Sequence, residues 1–215
     1  MQLKVLHKHL DSLHKKHSDN RLNSIYGAGE TNSPKACFVF MNPTARNVSA
    51  AKGWKGLRAP WLGTKNVWKL FALIGIISDK LNKEIQSKKP DKWNPEFSGK
   101  VYKEVKKNRC FITNLAKCTK KDAAHLPDSV FKGYRGLMLE EIRLLDPKII
   151  ISFGNQVSSI LLDKSINVSK ERKKSHDLAI KDKRYNVYPV YYPVGQGMRN
   201  MGKAIEDINY IFHAG

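Results

Sequence analysis

Three uninterrupted apolar runs constrain this chain more than any other feature: FVF within Ala36 to Met41, FIT within Cys110 to Asn114, and IIISF within Lys148 to Phe153. A strand covered on one face alternates apolar and polar residues. A strand covered on both faces reads as a continuous apolar run. Between these runs, and before a fourth strand expected near Asn186 to Val190, lie segments with helical spacing, and strands that alternate with helices build a parallel sheet. The expected fold class is therefore α/β, a three-layer αβα sandwich around a central four-stranded, mostly parallel sheet. A chain of 215 residues, 41% hydrophobic, suffices for one core, so a single domain spanning 1–215 is expected. In such a sheet the strand ends at Asn42, Asn114 and Gly154, and the segment near Tyr192, open on one edge, where ligands of open α/β folds collect.

The helices follow from periodicity and caps. Leu3, Val5, Leu6, Leu10 and Leu13 make Gln2 to about His17 an amphipathic helix with a basic outer face. Asp19 to Pro34 reads as a polar connection. A helix is expected from about Thr64, capped by its hydroxyl, and another over Ser129 to Leu145, capped by Asp128 or Ser129 and stopped by Asp146-Pro147. Ser78 to Gly99 reads as a basic surface excursion, and a short helix follows from Lys100. Asn155 to about Leu162 forms a further helix, the lysine-rich Lys164 to Lys183 a link, and Ala204 to Phe212 a last helix.

Charge points to a partner. The chain has 39 Lys and Arg against 19 Asp and Glu, a formal +20 spread along its length. Neutralised phosphates release counterions, so nucleic acid is the leading polyanion. No run of 18 apolar residues and no secretory-type N-terminus is present, so neither a membrane partner nor a membrane span is expected, and a cytoplasmic (or nuclear) monomer is. The three cysteines, Cys37, Cys110 and Cys118, lack zinc spacing and cannot supply a four-cysteine iron–sulfur site. Neither metal nor cofactor is expected.

The residues at the strand ends narrow the chemistry. They are Asn42-Pro43-Thr44, Thr113-Asn114, Ser152-Phe153-Gly154-Asn155 and the stretch Tyr191 to Gly197. Amides, hydroxyls and aromatic rings dominate, without paired carboxylates, a Ser/His/Asp set or a GxxxxGK[ST] loop. A carboxamide offers both a donor and an acceptor to a base edge, and an aromatic face stacks on a base for about 1–3 kcal/mol. The long connection after Met41, with Trp54, Trp61 and the APWLG run, suits a binding loop, since structureless connections beyond about 12 residues are usually functional or disordered. Trp54 and Trp68 read as core or surface cover.

This order of motifs, over about Ile25 to Arg199, resembles the uracil-DNA glycosylase superfamily. Met41-Asn42-Pro43-Thr44 is similar to the family's proline-containing first motif, which puts Asn42 where the attacking water is held. Arg58-Ala59-Pro60-Trp61-Leu62-Gly63-Thr64 resembles the single-cluster branch's G-x-P-F/W-x-G pattern, and Trp61 takes the place of the aromatic that stacks on uracil. Thr113-Asn114-Leu115-Ala116-Lys117-Cys118 resembles T-N-x-x-K-C, whose asparagine reads the base. Ile150 to Val157 is similar to the following strand and turn. Tyr192-Pro193-Val194, with Arg199 beyond, falls where the family has H-P-S and a DNA-wedging loop.

The resemblance implies Asn42 and Tyr192 as catalytic residues, Met41, Thr44, Trp61 and Asn114 around the base, and Arg58, Lys65, Lys117, Gln196, Met198 and Arg199 on DNA. It implies excision of uracil or a related deaminated base from uracil-containing or mismatched DNA. Two departures stand out: Tyr192 replaces the catalytic histidine, and of the branch's cluster cysteines Cys118 alone has a counterpart. A non-catalytic nucleic-acid-binding module on the same fold is the alternative, and a nucleoside- or nucleotide-handling enzyme a third. Among the histidines, His125 is a candidate acid or base, while the other six read as solvated.

Overall fold

A computed structural model describes residues 2–18, 21–121 and 126–214; His125 lies outside them. The middle of the sheet is β2 (Ala36–Phe40), buried along its whole length. It pairs in parallel with β3 (Cys110–Asn114) on one side and β4 (Ile149–Phe153) on the other, and β4 pairs in parallel with β6 (Lys183–Val190). Two antiparallel strands close the edges, β1 (Ala28–Gly29) on β3 and β5 (His176–Ile180) on β6. The order is β1-β3-β2-β4-β6-β5.

The four expected strands thus form the centre of a six-stranded mixed sheet. The two added strands have physical reasons for being overlooked. β1 is two residues long and depends on Gly29, whose φ of +128° and approach to the Cys110 carbonyl, 2.2 Å from where a Cβ would sit, leave no room for a side chain. β5 lies inside the lysine-rich stretch expected to be a link. Its buried Leu178 and Ile180 alternate with exposed Asp177 and Ala179, and Lys181 takes a left-handed φ of 51° in the hairpin loop between Ile180 and Lys183.

Alternation along β2 sorts the core into two layers. Phe38 and Phe40 face α2 (Asn66–Leu73), α4 (Pro95–Lys107) and α7 (Met201–Ala214), in a cluster with Trp68, Phe71, Val101, Phe153 and Ile208. Cys37 and Val39 face α1 (Leu3–His17), α5 (Asp128–Leu145) and α6 (Asn155–Leu162), with Leu6, Leu10, Phe131, Ile142 and Leu161. This is the expected three-layer sandwich.

Ser78 to Gly99 is not a surface excursion. Ser78 Oγ accepts from Leu81 N to cap α3 (Asp79–Ser87), and Asn94 Oδ1 accepts from Phe97 N with Pro95 in the first turn of α4. Leu81, Ile85, Trp93 and Phe97 are buried beneath the lysines that disguise them. Two caps also differ from expectation. The Thr64 hydroxyl donates 2.7 Å to the Trp61 carbonyl and does not cap α2, and neither Asp128 nor Ser129 caps α5, because Asp128 accepts from Gln156 instead.

Candidate active site at the carboxyl edge of the sheet

The parallel register sets Phe40 opposite Asn114, and Phe153 opposite Val190, so β3, β2, β4 and β6 end together. Chain order reverses between β2 and β4, the position where ligands bind in doubly wound sheets. Beyond the sheet the segments after β2 and β3 stay side by side. Leu115 N donates 2.7 Å to the Phe40 carbonyl, Ala116 N 3.0 Å to Met41, Lys120 N 3.1 Å to Pro43, and Ala45 N 2.8 Å to Lys120. Met41, Asn42 and Asn114 are thereby brought to one place, with half-buried Thr44 bridged to Lys120.

Phe40 is the hub on which two of the expected residues meet. Its ring contacts Trp61 edge-on at 5.0 Å and Tyr192 edge-on at 6.3 Å, and stacks on Phe153 at 4.2 Å. Trp61 has a left-handed φ of 65°, a conformation that costs a bulky residue about 1–3 kcal/mol. Its surroundings hold it there. The Trp61 carbonyl accepts from Thr64 N, Thr64 Oγ1 and Trp68 Nε1, while Asn47 Nδ2 donates to the Ala59 carbonyl and the Tyr102 hydroxyl to that of Pro60. Three successive carbonyls are pinned, so the aromatic platform is rigid. The Trp61 Nε1 atom is buried without a partner.

Tyr192 is half-buried, and burial pushes its hydroxyl up to about 12, so it is a neutral donor at any ordinary pH. The following turn folds over it. A Cβ on Gly197 would lie 2.0 Å from the Tyr192 carbonyl, so this glycine permits a close approach. Residues Gly195–Asn200 form 3-10 turns that run straight into α7, and they expose Gln196, Met198 and Arg199. The segment expected as a DNA-wedging loop is thus built as a short helical turn.

Asn114 is 2% exposed, and its Nδ2 has no hydrogen-bond partner. A buried donor left unpaired costs about 1–3 kcal/mol. Asn42 Nδ2 donates 3.1 Å to the Pro43 carbonyl. Lys117, expected on DNA, is 1% exposed: its Nζ contacts Glu141 Oε2 at 2.7 Å, Thr113 Oγ1 at 2.6 Å and the Asn114 carbonyl. The physical reason is the unforeseen Glu141 on α5, which compensates the ammonium inside the core.

Two other expected DNA contacts are engaged within the chain. Arg58 lies over the Tyr26 ring at 4.2 Å, donates to the Tyr26 hydroxyl and sits 3.9 Å from Asp11, while Lys65 Nζ donates 2.5 Å to the Gln86 carbonyl. Nor is every histidine other than His125 solvated. His14 is 4% exposed with Nε2 donating 2.9 Å to the Leu22 carbonyl, and His7 stacks on Tyr26 at 3.9 Å.

The distribution of acidic residues also bears on this edge. No Asp or Glu occurs between Glu30 and Asp79, between Glu104 and Asp122, between Asp146 and Asp163, or between Asp182 and Glu206. Those intervals hold the four parallel strands and the first residues that leave each carboxyl end. Arg46, Lys52, Lys55, Lys121, Arg199 and Lys203 are exposed there. Along these stretches the exposed charge is positive.

An iron–sulfur cluster does not fit the chain. It has three cysteines, all buried, and burial raises the Cys110 thiol to about 12 and that of Cys118 to about 11. Among the described residues no group of three His, Cys, Asp or Glu side chains is placed to hold a metal, and no helix is long and apolar enough to cross a membrane. The family model of the uracil DNA glycosylase superfamily matches residues 27–211. No curated protein matches the chain.

Proposed function

The chain belongs to the uracil DNA glycosylase superfamily, and from that premise we propose that it excises uracil or a related deaminated base from DNA by hydrolysing the N-glycosidic bond. The observation that carries this reading is the buried, unpartnered Asn114 Nδ2 at the end of β3, beside the pinned Trp61 platform. Uracil offers a carbonyl acceptor and an adjacent N–H donor, the complement of one carboxamide. Cytosine presents an amino donor and a ring-nitrogen acceptor, the reverse pattern, so an amide held in the uracil-reading orientation mispairs with it.

The steps follow from the residues. Extruding the base costs a few kcal/mol, least where it is mispaired. The base stacks on Trp61 and fills the unpaired Asn114 donor. The C–N bond then breaks with its electron pair going to the base, whose developing anion accepts a hydrogen bond from the Tyr192 hydroxyl. A phenol held neutral by burial can donate but cannot neutralise that charge. Water oriented by Asn42 adds to the sugar carbon and releases its proton to solvent. Asn42 is a poor base, so water attacks an already cationic sugar, and the reaction is slow. The exposed cations at the edge contact backbone phosphates.

Tyr192 in place of histidine favours one second reading, a DNA-binding module that retains the fold without excision. A duplex with one uracil opposite guanine, incubated with excess protein and treated with alkali, separates the two. Strand breakage at the uracil is expected. Salt-dependent binding to this duplex without breakage would replace the glycosylase by the module.

A further inference from the structure

Ahead of the residues matched by the family, Leu22 to Tyr26 form a strap that touches both loops of the candidate site. Asn23 is its centre and is 9% exposed. Its N–H donates 2.7 Å to the Ala50 carbonyl, and its Nδ2 donates 2.7 Å to that of Ala51 and 3.3 Å to that of Ser49. Its own carbonyl accepts from Thr119 Oγ1 at 2.6 Å. One residue therefore grips the loop after β2 with its donors and the loop after β3 with its acceptor. The pattern repeats along the strap: Ile25 N donates 3.1 Å to the Lys117 carbonyl, and Tyr26 N 3.0 Å to that of Arg58.

The strap is anchored from behind by α1. Asp11 accepts from the Tyr26 hydroxyl at 2.7 Å and from Ser24, His14 holds the Leu22 carbonyl, and Leu6 and Leu10 seat the helix in the core. The gripped residues lie close in sequence to the working ones: Arg58 is three before Trp61, and Lys117 three after Asn114. We infer that the Leu22–Tyr26 strap sets the distance between the stacking platform and the base-reading amide, with Asn23 as its positioning residue. The inference rests on the glycosylase reading of the edge. Misplacing a reacting group by 1 Å can cost about 100-fold in rate, so such an element acts on catalysis without touching substrate.

The test uses the full chain carrying Asn23→Ala and, separately, Thr119→Val, which removes one donor with little change of shape and keeps the test available if the first variant fails to fold. Amide hydrogen exchange is followed at Ala50, Ala51 and Trp54 in one loop and at Lys120 in the other, with Val39 and Ile151 as strand controls. Exchange in both loops is expected to rise about tenfold while the controls stay within about twofold. The excision kcat is expected to fall about tenfold with KM for the duplex nearly unchanged, since the phosphate contacts remain. Faster exchange in one loop alone, or equal acceleration in the strands, would overturn the inference. Coupled loosening in a chain whose parent releases no base would support the strap and remove the glycosylase reading instead.

Discussion

Lys117 Nζ lies 2.7 Å from Glu141 Oε2, and both side chains are 1% exposed. The same ammonium holds the Asn114 carbonyl, so a charge drawn from α5 stabilises the end of β3. Removing one partner of a buried pair strands the other. Lys117→Met is expected to lower unfolding free energy by about 3–5 kcal/mol, and Lys117→Met combined with Glu141→Leu to recover most of that loss. Denaturant unfolding of the two variants measures both.

Asn114→Asp and Trp54→Ala are expected to part company. The carboxylate lacks the donor that the base carbonyl needs, so uracil excision and selectivity fall about 100-fold, and burying the new charge also lowers the melting temperature. Trp54 is half-buried and its Nε1 donates to the Leu57 carbonyl. Its loss costs stability, less than the roughly 3–5 kcal/mol of a fully buried tryptophan, and leaves selectivity alone. Equal loss of activity in both variants at unchanged stability would contradict the site assignment.

Tyr192→Phe removes the hydroxyl proposed to donate to the departing base and is expected to lower the excision rate about 100-fold with DNA affinity unchanged. Because burial raises the phenol to about 12, the wild-type rate should show no basic limb from this group between pH 6 and 9. Tyr192→His should introduce a titration below the usual histidine range, because the same burial disfavours the imidazolium. For stability the sign is negative on the alkaline side: between about pH 10 and 12 the folded chain keeps a proton that the unfolded chain has lost, so stability falls as pH rises through that window. A rate–pH profile and alkaline unfolding check the two statements.

His14 gives the acid side. Its pKa lies below the usual 6.5, first because it is buried, and its Nδ1 is buried without a partner. The unfolded chain takes up the proton first, so stability present above pH 6.5 is lost as pH falls below it. His14→Gln should flatten that slope when melting temperatures at pH 5 and pH 7.5 are compared.

Salt dependence distinguishes surface cations from engaged ones. Arg46→Ala and Arg199→Ala, both at exposed positions, should each reduce the slope of log affinity against log salt by about 0.9. Lys117→Met should leave the slope unchanged, because a lysine paired inside the core releases no counterion when DNA binds.

The centre of the sheet was legible because β2, β3 and β4 are buried on both faces and read as plain apolar runs. Its edges were not: β1 is two residues long, and β5 hides its alternation among lysines. The site followed the same division. Residues fixed by a strand end, Asn42, Asn114 and Tyr192, fall where the sequence put them. Arg58, Lys65 and Lys117, expected on DNA from the resemblance, are engaged within the chain. Their partners, Tyr26 and Asp11, Gln86, and Glu141, lie far off in sequence, and no local pattern announces such pairings. The strap at Asn23 was invisible for the same reason, since a polar connection and a bridging clamp share one composition.

The most direct measurement is single-turnover release of free base from a duplex carrying one uracil opposite guanine, with wild type and Asn114→Asp side by side. Release of uracil by the wild type, slowed about 100-fold in the variant, is the predicted result. Equal release by both, or none by either under saturating protein, would contradict a base pocket built on Asn114.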